Sequence, residues 1–296
     1  MTSLGVLAPV LLSVICLLVA NLGRGRHPEM RARVATFLLV AAGIASAAWT
    51  VVLGGSVIVR SSGIDPQSSV IAGWFTEHGP VPPLVSILAC LNLLHAFMVL
   101  RASMPFRYRH HAAASRDLMV SSEPGVVAYA VPGRSPFVVV SAAMLRSLRA
   151  DEIDVVLAHE RSHLSHHHHR YLTAGRLSIA FAPWLRPALR CLRFDLERWA
   201  DEDAAHEIGD RRLVARTIAR VAVADLPAGI ALGFNSNHMV RRVEAMLDEA
   251  PRQPSRLDAI AAASAGAAAT GVASSALQLH HAMSLLHRVE LVFASL

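Results

Sequence analysis

The residues best able to do chemistry lie in the stretch 155–164, which contains the pattern His-Glu-x-x-His. On a helix, His159 and His163 are one turn apart and project from the same face, so both imidazoles can reach one tetrahedral metal ion. Glu160 lies beside them, where it can take a proton from a water molecule on that metal. The spacing of the apolar residues, with two acidic residues in the expected first turn, predicts that this stretch is a helix.

A catalytic zinc ion normally has three protein ligands, so another residue must join the two histidines. Glu197 is the best candidate, because it lies in a second predicted helix that follows two prolines. Asp201 is one turn after Glu197 on the same face, where it can hydrogen-bond a ligating imidazole. The predicted ligands of one Zn2+ per chain are thus His159, His163 and Glu197, with zinc inferred from the types of ligand.

In an unselected protein, a His-Glu-x-x-His match is more often a solvated helix face than a metal site. Here a Glu-x-x-Ala-Asp pattern follows at residues 197–201, on another predicted helix. The combination of two helices with ligand-type residues favours the metal site.

Three motifs together resemble those of the BlaR/MecR-type membrane zinc metallopeptidases and, more distantly, the HtpX-type membrane proteases. They lie at residues 126–133, 158–163 and 197–201, and the resemblance covers about residues 84–247. It implies that the two histidines and Glu197 ligate zinc and that Glu160 is the general base. In the BlaR/MecR-type family the substrate is often a cytoplasmic transcriptional repressor, cleaved after an outside domain senses a β-lactam. No Ser-x-x-Lys motif or room for such a domain follows residue 277, so direct β-lactam sensing is not expected.

The composition is that of a membrane protein. Hydrophobic residues make up 53% of the chain, and the mean hydropathy is +0.42. The net charge of +6 rests on Arg, since the sequence contains no Lys. No basic run with interleaved aromatic residues is present, so direct nucleic-acid binding is not expected.

Apolar segments divide the chain into a membrane part and a catalytic part. Three transmembrane helices are predicted at about 4–22, 35–59 and 81–100, within a membrane domain at 1–100. A metallopeptidase domain follows at 101–256. Residues 257–277 are predicted to form either a fourth span or an Ala-rich helix packed on the catalytic domain, and residues 278–296 a short amphipathic tail.

The arginines predict the orientation of the chain in the membrane. They flank the predicted spans at residues 24–33, 101–109 and 252–256, whereas residues 61–79 contain no Arg. The positive-inside rule then puts the N-terminus outside and the segment 101–256 in the cytoplasm. We expect a multi-pass protein of a bacterial cell membrane, with the bilayer as one partner.

Within the catalytic segment, residues 126–129 and 136–140 are predicted to form a β-hairpin. Its edge either binds substrate as an added strand or only covers the helices. Residues 141–148 and 210–225 are predicted helices, and residues 229–237 a loop.

A group that stabilises the oxyanion is also needed, and the candidates are Arg242, His206, Tyr171 and His238. Arg242 ranks first because residues 241–247 resemble the basic helix that closes the catalytic domain of the family. In the run of four histidines at 166–169, most side chains must be solvated. His167 is the member expected to approach the site, as a secondary metal contact, or else the run is a basic rim near the membrane.

The sequence thus predicts an α+β, mainly helical, polytopic membrane protein with three or four transmembrane helices and a cytoplasmic gluzincin-type metallopeptidase domain. The predicted activity is zinc-dependent endopeptidase cleavage of a cytoplasmic or membrane-associated protein or peptide, such as a repressor. The alternatives are HtpX-like quality control of membrane proteins and a non-catalytic signalling scaffold.

Overall fold

The computed structural model describes residues 27–63, 65, 83–103, 117–122, 125–224 and 235–251. Its elements, in chain order, are α1 (Pro28–Ser61), α2 (Pro83–Ser103), β1 (Leu118–Ser121), β2 (Ala128–Val131), β3 (Phe137–Ser141), α3 (Ala142–Ser147), α4 (Ala150–Ser165), α5 (His168–Phe181), a 3-10 turn (Pro183–Leu185), α6 (Arg186–Ile208), α7 (Arg211–Ala224) and α8 (Asn235–Leu247). The predicted mainly helical α+β class is confirmed. The predicted spans at 4–22 and 257–277 and the tail at 278–296 lie outside the described residues.

Helix α1 begins where the His27 side chain accepts a hydrogen bond from the backbone N–H of Glu29. It runs for 34 residues, about 51 Å at 1.5 Å per residue, and includes the span predicted at 35–59. In the described part of the chain, α1 alone is long and apolar enough to cross a membrane. The span predicted at 81–100 falls on α2, which contains a shorter apolar stretch, Ile87–Arg101.

Helix α1 is also a core helix, because 53% of its most apolar stretch is buried within the protein. It packs on α5 and α6 through a common core that includes Ala32, Ala35, Leu38, Leu39, Ala42 and Ala45 of α1 and Leu189, Leu192, Leu196 and Trp199 of α6. Gly43 allows a close approach of the two helices, since a Cβ there would lie 2.7 Å from Cα of Ser178 in α5. The apolar helix α1 and helices α5 and α6 therefore share one core.

The three strands form a sheet in the order β1-β3-β2, with β1 parallel and β2 antiparallel to β3. Every residue of β3 is buried, because it lies between the other two strands and against α3 and α4. The predicted hairpin is confirmed, with pairing from Ala128 opposite Val140 to Val131 opposite Phe137. Strand β2 forms one edge of this sheet and contacts α4.

Hydrogen bonds at the helix starts set the register of α3 and α4. Ser141 Oγ accepts from the backbone N–H of Met144 at 3.1 Å, and the Glu152 carboxylate accepts from the backbone N–H of Arg149 at 2.9 Å. The helix predicted at 141–148 is confirmed by α3. Because these bonds fix where α4 begins, they also fix the position of the His-Glu-x-x-His residues around the helix.

Helices α7 and α8 form the C-terminal part of the described chain. Helix α7 confirms the helix predicted at 210–225. The loop predicted at 229–237 is wrong at its end, because α8 begins at Asn235, while residues 229–234 lie outside the described part. Asn and Ser favour turns but are equally favoured where a helix starts, so their presence does not separate the two cases.

Candidate metal centre

Helix α4 presents His159 and His163 on one face, one turn apart, as predicted. Their Nε2 atoms are 3.1 Å apart, and the two rings are inclined at 77°. Both side chains are partly buried. The four-residue spacing on a straight helix is sufficient to bring the two nitrogens to one point.

Helix α6 brings Glu197 to the same point. Its Oε2 lies 3.5 Å from Nε2 of His159, and its Oε1 lies 3.7 Å from Nε2 of His163. Small buried residues at the contact between the two helices, Ala158 on α4 and Ala204 on α6, allow the close packing that this requires. The Glu197 side chain is 41% exposed, so the centre opens to solvent on this side.

The donor atoms of the three side chains suit a tetrahedral zinc ion. With zinc–ligand bonds of about 2.0–2.1 Å, the edge of a tetrahedron is about 3.3 Å. The two Nε2 atoms are 3.1 Å apart, and each lies 3.5 or 3.7 Å from a different oxygen of Glu197, close to that value. With one donor atom taken from each residue, the three atoms lie within 4.8 Å of one another. Two imidazoles and a carboxylate are also a donor set that zinc prefers. The residues present therefore suit the metal.

Asp201 and Arg242 support the centre from behind. Asp201 is 1% exposed, and its Oδ1 is 3.0 Å from Nδ1 of His159. Arg242 on α8 donates to both oxygens of Asp201, at 2.8 and 2.7 Å, and its Nη1 lies 3.2 Å from Glu197 Oε2. A bidentate guanidinium contact is strongly directional, so Arg242 fixes the position of the Asp201 carboxylate.

These contacts shift the pKa values of the proposed ligands in different directions. Burial alone would lower the pKa of His159, but hydrogen bonds to Asp201 and Glu197 reverse the effect and raise its pKa to about 10. Burial and the charge on His159 lower the pKa of His163 to about 4. Burial favours a raised pKa for Glu197, yet His159 and Arg242 hold it below its usual range. Near neutral pH, one proton is therefore held on His159, and a metal ion has to displace it.

Glu160 lines a cavity of about 160 Å³ together with His159, Glu197, Asp201 and Arg242. Burial raises the pKa of the Glu160 carboxyl, and a hydrogen bond from the backbone of Ala130 in β2 partly offsets this shift. A carboxyl with a raised pKa can accept and return a proton near neutral pH. Much of the remaining wall is apolar and includes Ala128, Met144, Val155, Ile218 and Met239.

The four oxyanion candidates lie in different places. Arg242 lines the cavity, but its guanidinium already contacts two carboxylates. His206 is exposed near the end of α6 and is not among the cavity residues. The Tyr171 ring lies 6.1 Å from the Trp199 ring, and that of His238 lies 5.6 Å from the Phe194 ring.

The prediction that His167 is the member of the histidine run that approaches the site is wrong. Helix α4 ends at Ser165, and His167 is exposed with a left-handed φ of 54°. The break in the helix turns His168 inward instead, with its Nδ1 2.7 Å from Nδ1 of His163. A one-turn spacing rule holds only within a continuous helix, so no simple sequence signal pointed to this residue.

Comparison with known proteins gives a family. Peptidase family M48 matches residues 108–264, which is just over half of the chain and includes the whole candidate centre. Searches of curated proteins and of solved structures found no match. The match supports the broad family expected from the sequence, while the BlaR/MecR-type and HtpX-type subdivisions stay predictions. The chain belongs to peptidase family M48.

Proposed function

We propose that the protein is an integral-membrane zinc-dependent endopeptidase in which His159, His163 and Glu197 ligate the metal. The observation that carries this proposal is that the Nε2 atoms of the two histidines lie 3.1 Å apart and each within 3.7 Å of a Glu197 oxygen, beside the Glu160 carboxyl, whose pKa burial raises. Peptidases of family M48 are zinc enzymes in general, which supports the choice of metal.

Zinc held by these residues would supply a Lewis acid that polarises a peptide carbonyl. Glu160 accepts the proton of the attacking water and passes it to the leaving amine, two steps that its raised pKa favours. Asp201 accepts a hydrogen bond at Nδ1 of His159, so that Nε2 is directed into the centre. Arg242 is better placed than His206 to stabilise the oxyanion, because it lines the cavity.

Strand β2 supports binding of an extended peptide. Ser141 N–H donates to the Val127 carbonyl at 2.8 Å, so in an antiparallel ladder the next hydrogen-bonded residue on this strand is Tyr129. The backbone groups of Ala128 and the carbonyl of Ala130 therefore point away from β3, towards the cavity that Ala128 lines, while the Ala130 N–H donates to Glu160. A substrate added as a strand here is held by its backbone and passes Glu160, which tolerates varied side chains.

The exposed apolar faces of α1 and α2 support the bilayer as a partner. On α1 these are Phe37, Ile44, Val51 and Ile58, and on α2 they are Ile87, Leu88, Leu91, Leu94, Phe97 and Met98, all at least 51% exposed. An exposed apolar surface of this extent is typical of a site that contacts another protein or a membrane. In our proposal it contacts lipid, with the chain crossing a bacterial cell membrane several times and the catalytic domain in the cytoplasm, as the arginines predict.

The substrate is either a cytoplasmic repressor, as in BlaR/MecR-like signalling, or a membrane protein removed by HtpX-like quality control. A membrane scaffold that binds a partner without cutting it is the alternative of another class. The variant Glu160→Gln separates the classes: a scaffold keeps its phenotype, whereas a peptidase loses it and still binds zinc.

The proposal is tested first by elemental analysis of the purified, untagged full chain. We expect about one zinc ion per chain, lost in the variant His159→Ala/His163→Ala. The matched control, His167→Asn/His169→Ala, removes two histidines of the neighbouring run, keeps a residue that tolerates the left-handed φ at 167, and should keep the metal. Zinc that is absent from the wild type, or that survives in the ligand variant, contradicts the proposal.

A further inference from the structure

One imidazole of the histidine run lies directly behind a proposed zinc ligand. His168 is 1% exposed, and its Nδ1 is 2.7 Å from Nδ1 of His163. The two rings meet edge to face, with their centroids 4.8 Å apart. The contact uses the nitrogen of His163 that does not face Glu197.

Building on the zinc site proposed above, we propose that His168 is a positioning residue that fixes the tautomer and the orientation of His163. Two imidazole nitrogens at this distance share one proton. A neutral His163 that binds metal through Nε2 carries its proton on Nδ1. It therefore donates to Nδ1 of His168, and His168 carries its own proton on Nε2.

The second ring nitrogen of His168, Nε2, indicates that this side chain has a role beyond packing. Its Nε2 is buried and has no hydrogen-bond partner within the described part of the chain. A buried polar atom without a partner is unfavourable, so a residue needed only for packing would be apolar. The need for an acceptor opposite His163 accounts for an imidazole at this position.

Neighbouring side chains hold the His168 ring in place. It packs against Trp199, with centroids 4.8 Å apart, and stacks on His166 at 5.9 Å. His166 is itself fixed by Asp203, whose Oδ2 lies 3.0 Å from its Nε2. The ring thus has little freedom to turn, which is the property that a positioning residue requires.

The two proposed histidine ligands differ in the group behind them. The partner of His159 is the carboxylate of Asp201, which contacts Arg242, whereas the partner of His163 is a neutral imidazole. A change at His168 therefore acts on one ligand and leaves the other in place.

The test compares zinc dissociation constants of the full chain in detergent, measured by competition with a chelator. His168→Leu fills the space without an acceptor and should weaken zinc binding about 10–100-fold. His168→Asn places Oδ1 where Nδ1 was, so it should restore nearly wild-type affinity. The matched control is His169→Leu, the same substitution at the next histidine of the run, whose ring contacts that of His167, and no change is expected.

The visible absorption spectrum of the cobalt-loaded protein gives a second readout, because it reports ligand geometry. We expect an altered spectrum in His168→Leu and a wild-type spectrum in His168→Asn. Wild-type affinity in His168→Leu, or equal loss in the Leu and Asn variants, overturns the positioning role while the zinc site stands. Zinc binding that survives His163→Ala overturns the site and this role together.

Discussion

The two faces of helix α6 have different roles. One face packs on α1 through Leu192, Leu196 and Trp199, which are buried and apolar. The other carries Glu197 and Asp201 towards α4, where the contacts are charged and directional. Apolar burial tolerates small shifts, but a ligand set does not, so the first face supplies stability and the second supplies geometry. Substitutions on the two faces should therefore separate stability from chemistry.

The largest effect is expected at Glu160, beside the polar face. Glu160→Gln removes the proton acceptor but keeps the shape, so peptide cleavage should fall about 10²–10⁴-fold with zinc content unchanged. Cleavage of an unfolded protein by the full chain in detergent measures this. The control is Asp154→Asn, an exposed carboxylate on the same helix. Wild-type cleavage by Glu160→Gln would assign the base to another residue.

The apolar face is tested by Leu192→Ala. Leu192 is fully buried in the core shared with α1, and its truncation should lower the free energy of unfolding by about 2–5 kcal/mol. Thermal or denaturant unfolding in detergent measures the change. Leu177→Ala, the same substitution at a side chain that is 43% exposed, should cost less than about 1 kcal/mol. Equal costs at the two positions would mean that the α1–α6 core contributes little.

The supporting carboxylate gives a smaller effect on the polar face. Asp201→Asn keeps an acceptor for His159 but removes the negative charge, and zinc affinity should fall about 10–100-fold. Glu207→Gln removes the same charge from an exposed carboxylate of the same helix, which contacts Arg161 instead. An equal loss of affinity in both variants would show that the effect is one of net charge.

The smallest effect is a dependence on pH. The pKa of about 10 at His159 and of about 4 at His163 mean that zinc displaces one proton, from His159, at pH 6. Affinity should then rise about tenfold per pH unit as pH increases, because the competing proton becomes scarcer. Calorimetry in two buffers of different ionisation enthalpy counts the protons released. A count of zero would show that His159 is neutral before zinc binds.

Local spacing was enough to predict the parts of the centre that lie on single helices. The four-residue interval puts His159 beside His163, and the same interval puts Asp201 beside Glu197. The strand pattern around Pro132 and Gly133 likewise predicted the hairpin. In each case the residues belong to one helix or one hairpin, so their spacing in the sequence is enough to place them together.

Contacts between elements could not be predicted in the same way. His168 reaches His163 across a helix break, and Arg242 reaches Asp201 from a helix about forty residues later in the chain. The apolar pattern of α1 indicated a helix that avoids water, but not that the catalytic helices cover one of its faces. A hydrophobic pattern shows that a surface is buried away from water, but it does not show which neighbouring element or lipid buries it.

The packing of α1 against α6 limits how the peptidase can be studied apart from its apolar helix. The family match begins at residue 108, which invites excision of the catalytic part from there onward. Such a fragment would leave α1 behind and turn the apolar face of α6 outward, with Leu192, Leu196 and Trp199 in water. A soluble version would therefore need those positions redesigned as polar residues, because trimming alone leaves an aggregation-prone surface.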